Sequence, residues 1–219
     1  MTKAIRIHDT GGAGVLTWED VDVGRPGPDQ VRIRQSAVGL NYIDVYVRSG
    51  LYPVADLPCV IGMEGAGVVE ETGAEVTDFK PGDRVCYPMN IGGYAEERLI
   101  DSGRLLHLPD GIEETRAAAM MLQGMTAHYL LRRTYKVQPG DTVLIYAAAG
   151  GVGLILCQCA KHLGATVIGR IGPDKKAELA QAHGCDHSTL HNQQSVPDRL
   201  RPHTGGQGPP GPSVPTTPA

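Results

Sequence analysis

Residues 141–163 read Asp141-Thr142-Val143-Leu144-Ile145-Tyr146, then Ala147-Ala148-Ala149-Gly150-Gly151-Val152-Gly153, then Leu154-Ile155-Leu156-Cys157-Gln158-Cys159-Ala160-Lys161-His162-Leu163. The first block is a continuous apolar run, the pattern of a strand buried on both faces of a parallel sheet. The last block reads as a helix. A glycine-rich turn between strand and helix suits a dinucleotide, which needs a sharp turn, a backbone that comes close to the pyrophosphate and a helix N-terminus. Gly150 and Gly153 stand at the second and third glycines of that pattern, with Ala148 at the first and Gly151 and Val152 between them. Glycine turns alone are common. The second strand that follows, Ala165 to Gly169, gives this one its weight.

Working outward, Pro173 to His183 reads as the next helix, with Pro173 suited to its first turn. The order β-α-β-α is the start of a doubly wound domain. Upstream, Glu113 to Leu122 and Gly124 to Tyr135 read as two helices. The first 110 or so residues are short strands separated by Gly/Pro turns: Lys3 to His8, Val31 to Arg34, Val60 to Glu71 and the strand after the turn at Phe79 to Asp83. Gly62, Gly65 and Gly67 are expected where other backbone comes close. This spacing argues for a partly open β-barrel or sandwich. The class is therefore α/β with a β-rich N-terminal part, a partly open barrel followed by an incomplete doubly wound domain with two parallel strands.

Downstream the character changes abruptly. Ser195 to Ala219 hold seven prolines and four glycines with hardly any large apolar side chain. Such a stretch cannot bury enough surface to offset its ordering entropy, so disorder is expected over 191–219. We expect the chain from about residue 187 to be out of frame or mis-spliced.

Composition excludes several classes. Over 219 residues the net charge is −4, so no basic surface points to nucleic acid. No apolar run approaches the roughly 20 residues of a membrane span. The N-terminus carries no signal-peptide core. Five scattered cysteines argue against a disulfide framework. A reduced, cytoplasmic protein is the simplest expectation.

The end of the second strand bears on the cofactor. An NAD site places Asp or Glu there, on the ribose hydroxyls; an NADP site avoids that charge and offers cations. Here it reads Gly169-Arg170-Ile171-Gly172, with no acid. Arg170, Lys175 and Lys176 are available for a 2′-phosphate, or are solvated surface charges. Asp174 follows Pro173 and fits the next helix better than the ribose. NADPH is expected.

Four segments carry a family resemblance: Asn41-Tyr42-Ile43-Asp44-Val45-Tyr46-Val47-Arg48-Ser49-Gly50-Leu51-Tyr52-Pro53, Gly62-Met63-Glu64-Gly65-Ala66-Gly67, Leu122-Gln123-Gly124-Met125-Thr126-Ala127 and the Ala148–Gly153 turn. Together they resemble the zinc-independent, zeta-crystallin-like quinone oxidoreductases of the medium-chain dehydrogenase/reductase superfamily. The resemblance runs from about residue 3 to about 190. It implies a GroES-like catalytic domain (1–125), an incomplete Rossmann domain that binds NADPH (126–190), and commonly a homodimer. Members usually continue for a hundred residues or more, so the chain is expected to be C-terminally truncated.

The resemblance places Asn41 and Thr126 near the nicotinamide, with Met125 beside them, and Tyr46 and Tyr52 along the pocket for a quinone or enone. From the residues alone, either tyrosine could stack on a quinone or donate a proton, or both could be half-buried strand or turn tyrosines. Asp44 reads as a local turn or cap partner. Zinc is not expected. Zinc-dependent relatives have Cys where this chain has Asn41 and His where it has Met63, and their structural four-cysteine cluster is missing. Two further readings stay open: an NADPH-binding protein without turnover, as in lens crystallins, and an inactive fragment.

Overall fold

The computed structural model describes residues 1–172 and 176–190. Contacts divide the chain into two compact units, Met1–Leu122 and a second that starts at Gln123.

The first unit is built on antiparallel strands. Five of them form a sheet in the order β7 (Glu97–Asp101), β3 (Gln30–Val38), β5 (Gly65–Thr72), β6 (Arg84–Tyr87) and β8 (Leu106–His107). A second sheet has the order β2 (Leu16–Val21), β1 (Thr2–Ile7), β4 (Cys59–Val60), and one bridge, Ala4 to Ala95, joins β1 to the segment before β7. Alternation along β3 puts Val31 and Ile33 inside, where they meet Val69, Val85, Tyr87, Ile100 and Leu105. Among the described residues the sheets do not close on themselves, in keeping with the partly open barrel expected from the strand spacing.

The expected close backbone approaches are present. A Cβ on Gly67 would run into the Arg34 carbonyl oxygen and lie 2.8 Å from the Gln35 Cα. A Cβ on Gly65 would lie 2.7 Å from the Tyr87 hydroxyl. Gly62 has φ +95°, and this left-handed turn splits the single strand expected over Val60–Glu71 into β4 and β5.

A strand or turn was one of the readings left open for the tyrosines of the 41–53 segment. Tyr42–Ser49 is a helix, α1, carrying Tyr46, and Tyr52 lies in the bend after it. Asn41 is its N-cap, Asp44 returns to the Asn41 N–H at 2.8 Å, and Gly50 closes it at φ +82°. These cap residues favour a helix over the strand propensity of its Val and Tyr residues. Asp44 is thus the cap partner expected of it.

The helices expected at Glu113–Leu122 and Gly124–Tyr135 are one, α2 (Glu114–Tyr129), followed by a wider helical turn at Leu130–Thr134. An interior glycine costs only about 1 kcal/mol against alanine, so Gly124 does not break it.

The second unit holds a parallel sheet in the order β11 (His187–Leu190), β10 (Thr166–Ile171), β9 (Thr142–Tyr146). Helix α3 (Gly151–His162) packs through Leu156, Cys157 and Ala160 onto Val143, Ile145, Ala165 and Val167. This is the Rossmann-like order expected. It has three parallel strands rather than two, because Asp186 anchors β11: its carboxylate accepts the Val167 N–H at 2.9 Å and Lys161 Nζ at 2.5 Å. Helix α4 is described over Ala177–Ala182. The expectations for Pro173, Asp174 and Lys175, and for the tail 191–219, fall outside the described residues.

Gly67→Ala should lower stability by about 2 kcal/mol through overpacking between β3 and β5, read from urea unfolding.

Candidate cofactor and acceptor sites

In the second unit, β9 hands the chain to α3 through a tight turn. Ala147 takes the left-handed φ of +48°, unusual for a residue with a side chain. The Gly150 N–H donates to the Ala147 carbonyl at 2.7 Å, and the Ala148 N–H to the Arg170 carbonyl at 3.2 Å, tying the turn to β10. A Cβ on Gly153 would strike the Ala147 carbonyl oxygen and lie 2.8 Å from the Ala148 Cα. Only glycine lets α3 start this close to the strand, which is what the third glycine of the pattern is for. Gly150 caps α3 with no side-chain hydrogen bond. The first N–H groups of Gly151, Val152 and Gly153 therefore face outward at the positive end of the helix, the requirement for holding a phosphate.

The floor under this turn has no signature in the sequence. A Cβ on Gly169 would lie 2.7 Å from the Ala148 Cβ and 2.6 Å from Cys185 Sγ. The Cys157 thiol donates to the Ala148 carbonyl at 3.8 Å, and the Cys185 thiol to the His187 carbonyl at 3.2 Å. All five cysteines are free. Cys157 is buried and Cys159 exposed, so the two point apart as their spacing on a helix requires.

Arg170 lies in β10 opposite Tyr146, its guanidinium carbon 5.3 Å from that ring's centroid. Its Nε is buried with no hydrogen-bond partner. Lys176 is exposed ahead of α4. Met125, half exposed, and Thr126, half-buried, lie on α2.

The first unit holds the other expected site residues. Tyr46 on α1 lies 5.1 Å from the Tyr42 ring and 5.2 Å from the Tyr52 ring, centroid to centroid. Helical i,i+4 spacing joins Tyr42 to this group, which a strand reading could not show. Tyr42 and Tyr52 are exposed. Burial, then the neighbouring phenols, push the Tyr46 phenol up, so it keeps its proton at neutral pH.

The first unit also holds two buried carboxylates. Glu64 is 1% exposed; its Oε1 accepts Asn41 Nδ2 at 2.5 Å and its Oε2 accepts the Leu122 N–H at 2.6 Å. Asp44 Oδ2 accepts the Asn41 N–H and the Tyr94 hydroxyl, each at 2.8 Å, while its Oδ1 is buried without a partner. Burial pushes both carboxyls above the usual range, and their hydrogen bonds only partly offset it. Tyr94 is pushed up by burial and by its bond to Asp44. Neither Glu64 nor Tyr94 is assigned a role by the sequence reading. The signal for Glu64 is a lone acid between Gly62 and Gly65 in an apolar run.

Among the described residues, no three His, Cys, Asp or Glu side chains converge to hold a metal ion. None of the described helices is long and apolar enough to cross a membrane.

The raised Asp44 carboxyl fixes a sign. The folded state keeps this proton to a higher pH than the unfolded chain, so its stabilising contribution fades as pH rises from the ordinary carboxylate range through the raised value. Asp44→Asn keeps an acceptor for Asn41 and Tyr94 without the charge. Unfolding measured from pH 4 to 8 should show wild-type stability falling relative to Asp44→Asn as pH rises.

Residues 27–136 match the family described as "Alcohol dehydrogenase GroES-like domain", and residues 151–211 match "Zinc-binding dehydrogenase". A quinone oxidoreductase of Pseudomonas aeruginosa is 48% identical over 208 residues, 94% of this chain and 64% of that protein. A 2-haloacrylate reductase of a Burkholderia species is 47% identical, over 95% of this chain and 64% of that protein. The crystal structure of Escherichia coli quinone oxidoreductase complexed with NADPH superposes with a TM-score of 0.90 at 40% identity, over 93% of this chain and 63% of that one. The chain thus spans just under two thirds of these relatives' length. With half of its residues matched by the GroES-like model and a Rossmann-like unit behind them, the chain belongs to the alcohol dehydrogenase GroES-like family of the medium-chain dehydrogenase/reductase superfamily.

Proposed function

We propose that this chain serves a zinc-free, NADPH-dependent reduction of a quinone or related enone. The observation that carries the reading is the uncapped start of α3 behind the Ala147–Gly153 turn, where the missing Cβ of Gly153 lets the helix approach. The N–H groups of Gly151, Val152 and Gly153 would receive the pyrophosphate, and Ala148 and Gly150 shape the turn. Arg170 and Lys176 would hold the 2′-phosphate, Arg170 braced by the Tyr146 ring. Asn41, Met125 and Thr126 would flank the nicotinamide.

When bound, NADPH supplies the hydride. The chain orients the acceptor and supplies a proton. Tyr46 and Tyr52 would line its pocket, where a planar ring could stack and the Tyr46 hydroxyl, protonated at neutral pH, could donate to the developing oxyanion. A quinone suits a site without a Lewis acid because its carbonyls already draw electrons. The relative named 2-haloacrylate reductase supports a second reading, with a conjugated acid as acceptor. This reading assigns 1–125 to catalysis and 126–190 to the cofactor. It also keeps the cytoplasmic setting and the homodimer.

Gly150→Asp should abolish NADPH binding in a fluorescence titration, because a carboxylate would occupy the pyrophosphate position. Unchanged affinity would refute the assignment of the turn. NADPH should bind more tightly than NADH, and Lys176→Ala should narrow the gap; equal affinity in the wild type would refute the 2′-phosphate assignment.

A further inference from the structure

The parallel sheet of the second unit changes character along one face. Residues in register on neighbouring parallel strands point to the same side, so Leu144 and Ile168 share a face with Tyr146, Arg170 and Thr189. Leu144 and Ile168 form a buried apolar cluster. The row Tyr146–Arg170–Thr189 beyond them is polar. It lies toward the carboxyl ends of the strands, where open α/β sheets take their ligands. An aromatic ring, a guanidinium and a hydroxyl stand side by side there, on strands about 4.8 Å apart.

Two atoms of this row are buried without a hydrogen-bond partner, Arg170 Nε and Thr189 Oγ1. Thr189 is 3% exposed, so bulk water does not take the partner's place. A strand also lacks the i−4 carbonyl to which a helical threonine can turn its hydroxyl. Buried polar atoms are nearly always paired, and an unpaired one costs stability. Arg170 is half-buried, and its head lies against the Tyr146 ring. Among the described residues no acid forms an ion pair with it. The guanidinium can only donate, and the hydroxyl can donate too. The two are neighbours, yet neither satisfies the other. What the row lacks is an acceptor that reaches both.

The chemistry of that acceptor follows from its neighbours. It faces a cation with no acid of its own, so a negative group is favoured. A ribose diol is neutral and brings donors as well as acceptors. A phosphate monoester brings about two negative charges and three acceptor oxygens, enough for the guanidinium and the hydroxyl together. We propose that Thr189 is a specificity-determining residue of the cofactor site, donating from Oγ1 to the 2′-phosphate of NADPH beside Arg170. The proposal rests on the NADPH reading above for the identity of the nucleotide. The two unsatisfied donors belong to the chain itself. Cofactor preference then comes from β11 as well as from the end of β10.

The test is Thr189→Val, which keeps the shape of the side chain and removes the hydroxyl. It is read in the full chain by fluorescence titration with NADPH and NADH, and by thermal unfolding without nucleotide. NADPH affinity should fall about tenfold, the equivalent of one charge-assisted hydrogen bond, while NADH affinity stays within about twofold. Thr189→Ser returns the hydroxyl and should recover NADPH affinity to within about threefold. The melting temperature of Thr189→Val should not fall, because the hydroxyl it removes has no partner in the free chain. A merely structural Thr189 would lower the melting temperature and weaken both nucleotides alike, and that result overturns the proposal. A wild type that prefers NADPH, with the preference kept in full by Thr189→Val, overturns the Thr189 assignment and leaves the cofactor reading standing. A wild type that binds NADH as tightly as NADPH, or binds neither, overturns the cofactor reading and the assignment with it.

Discussion

The close approach of α3 to the end of β9 is the contact on which the second unit depends. Gly153 sits against the Ala147 carbonyl and the Ala148 Cα with no room for a methyl group. That contact fixes where the helix begins and leaves its first N–H groups facing outward without a side-chain cap. The left-handed Ala147 is held by the Gly150 N–H and, one residue on, by the link from Ala148 to Arg170. Left-handed geometry at a non-glycine residue costs of order 1 kcal/mol, so the flanking hydrogen bonds must over-determine it. An anion site built from backbone needs no charged side chain, in keeping with a turn made of alanine, valine and glycine.

The first unit solves the opposite problem. Its candidate site is built around two acids removed from water, and their hydrogen-bond partners belong to the same small group: Asn41, Tyr94 and the Leu122 N–H. Buried carboxylates are expensive unless satisfied, and Asp44 Oδ1 is not. The tyrosines have a different physics, with two exposed rings on either side of Tyr46 and wide apolar faces.

Much of this was legible in the sequence because it rests on local signals. The apolar run at 142–146 and the glycines after it identified strand, turn and helix, since those residues have few other uses in that order. Gly65 and Gly67 marked close backbone contacts for the same reason. The signals failed where competing preferences met. Val and Tyr favour strands, so they mask α1 although Asn41, Asp44 and Gly50 are helix cap residues. Gly124 reads as a break that the helix simply tolerates. Strand β11 escapes a sequence reading because its anchor is the Asp186 carboxylate on the Val167 N–H, a tertiary contact with no periodicity to read. Glu64 carried a hint, a lone acid among glycines, but its partners lie 23 and 58 residues away.

The central claim is that the backbone at the start of α3 holds the pyrophosphate of NADPH. Its most direct test is a backbone amide NMR titration of the full chain with NADPH. Saturable shifts of the Gly151, Val152 and Gly153 amides, larger than those elsewhere in α3, are predicted. NADPH binding that moves other amides and leaves these three unchanged would contradict it.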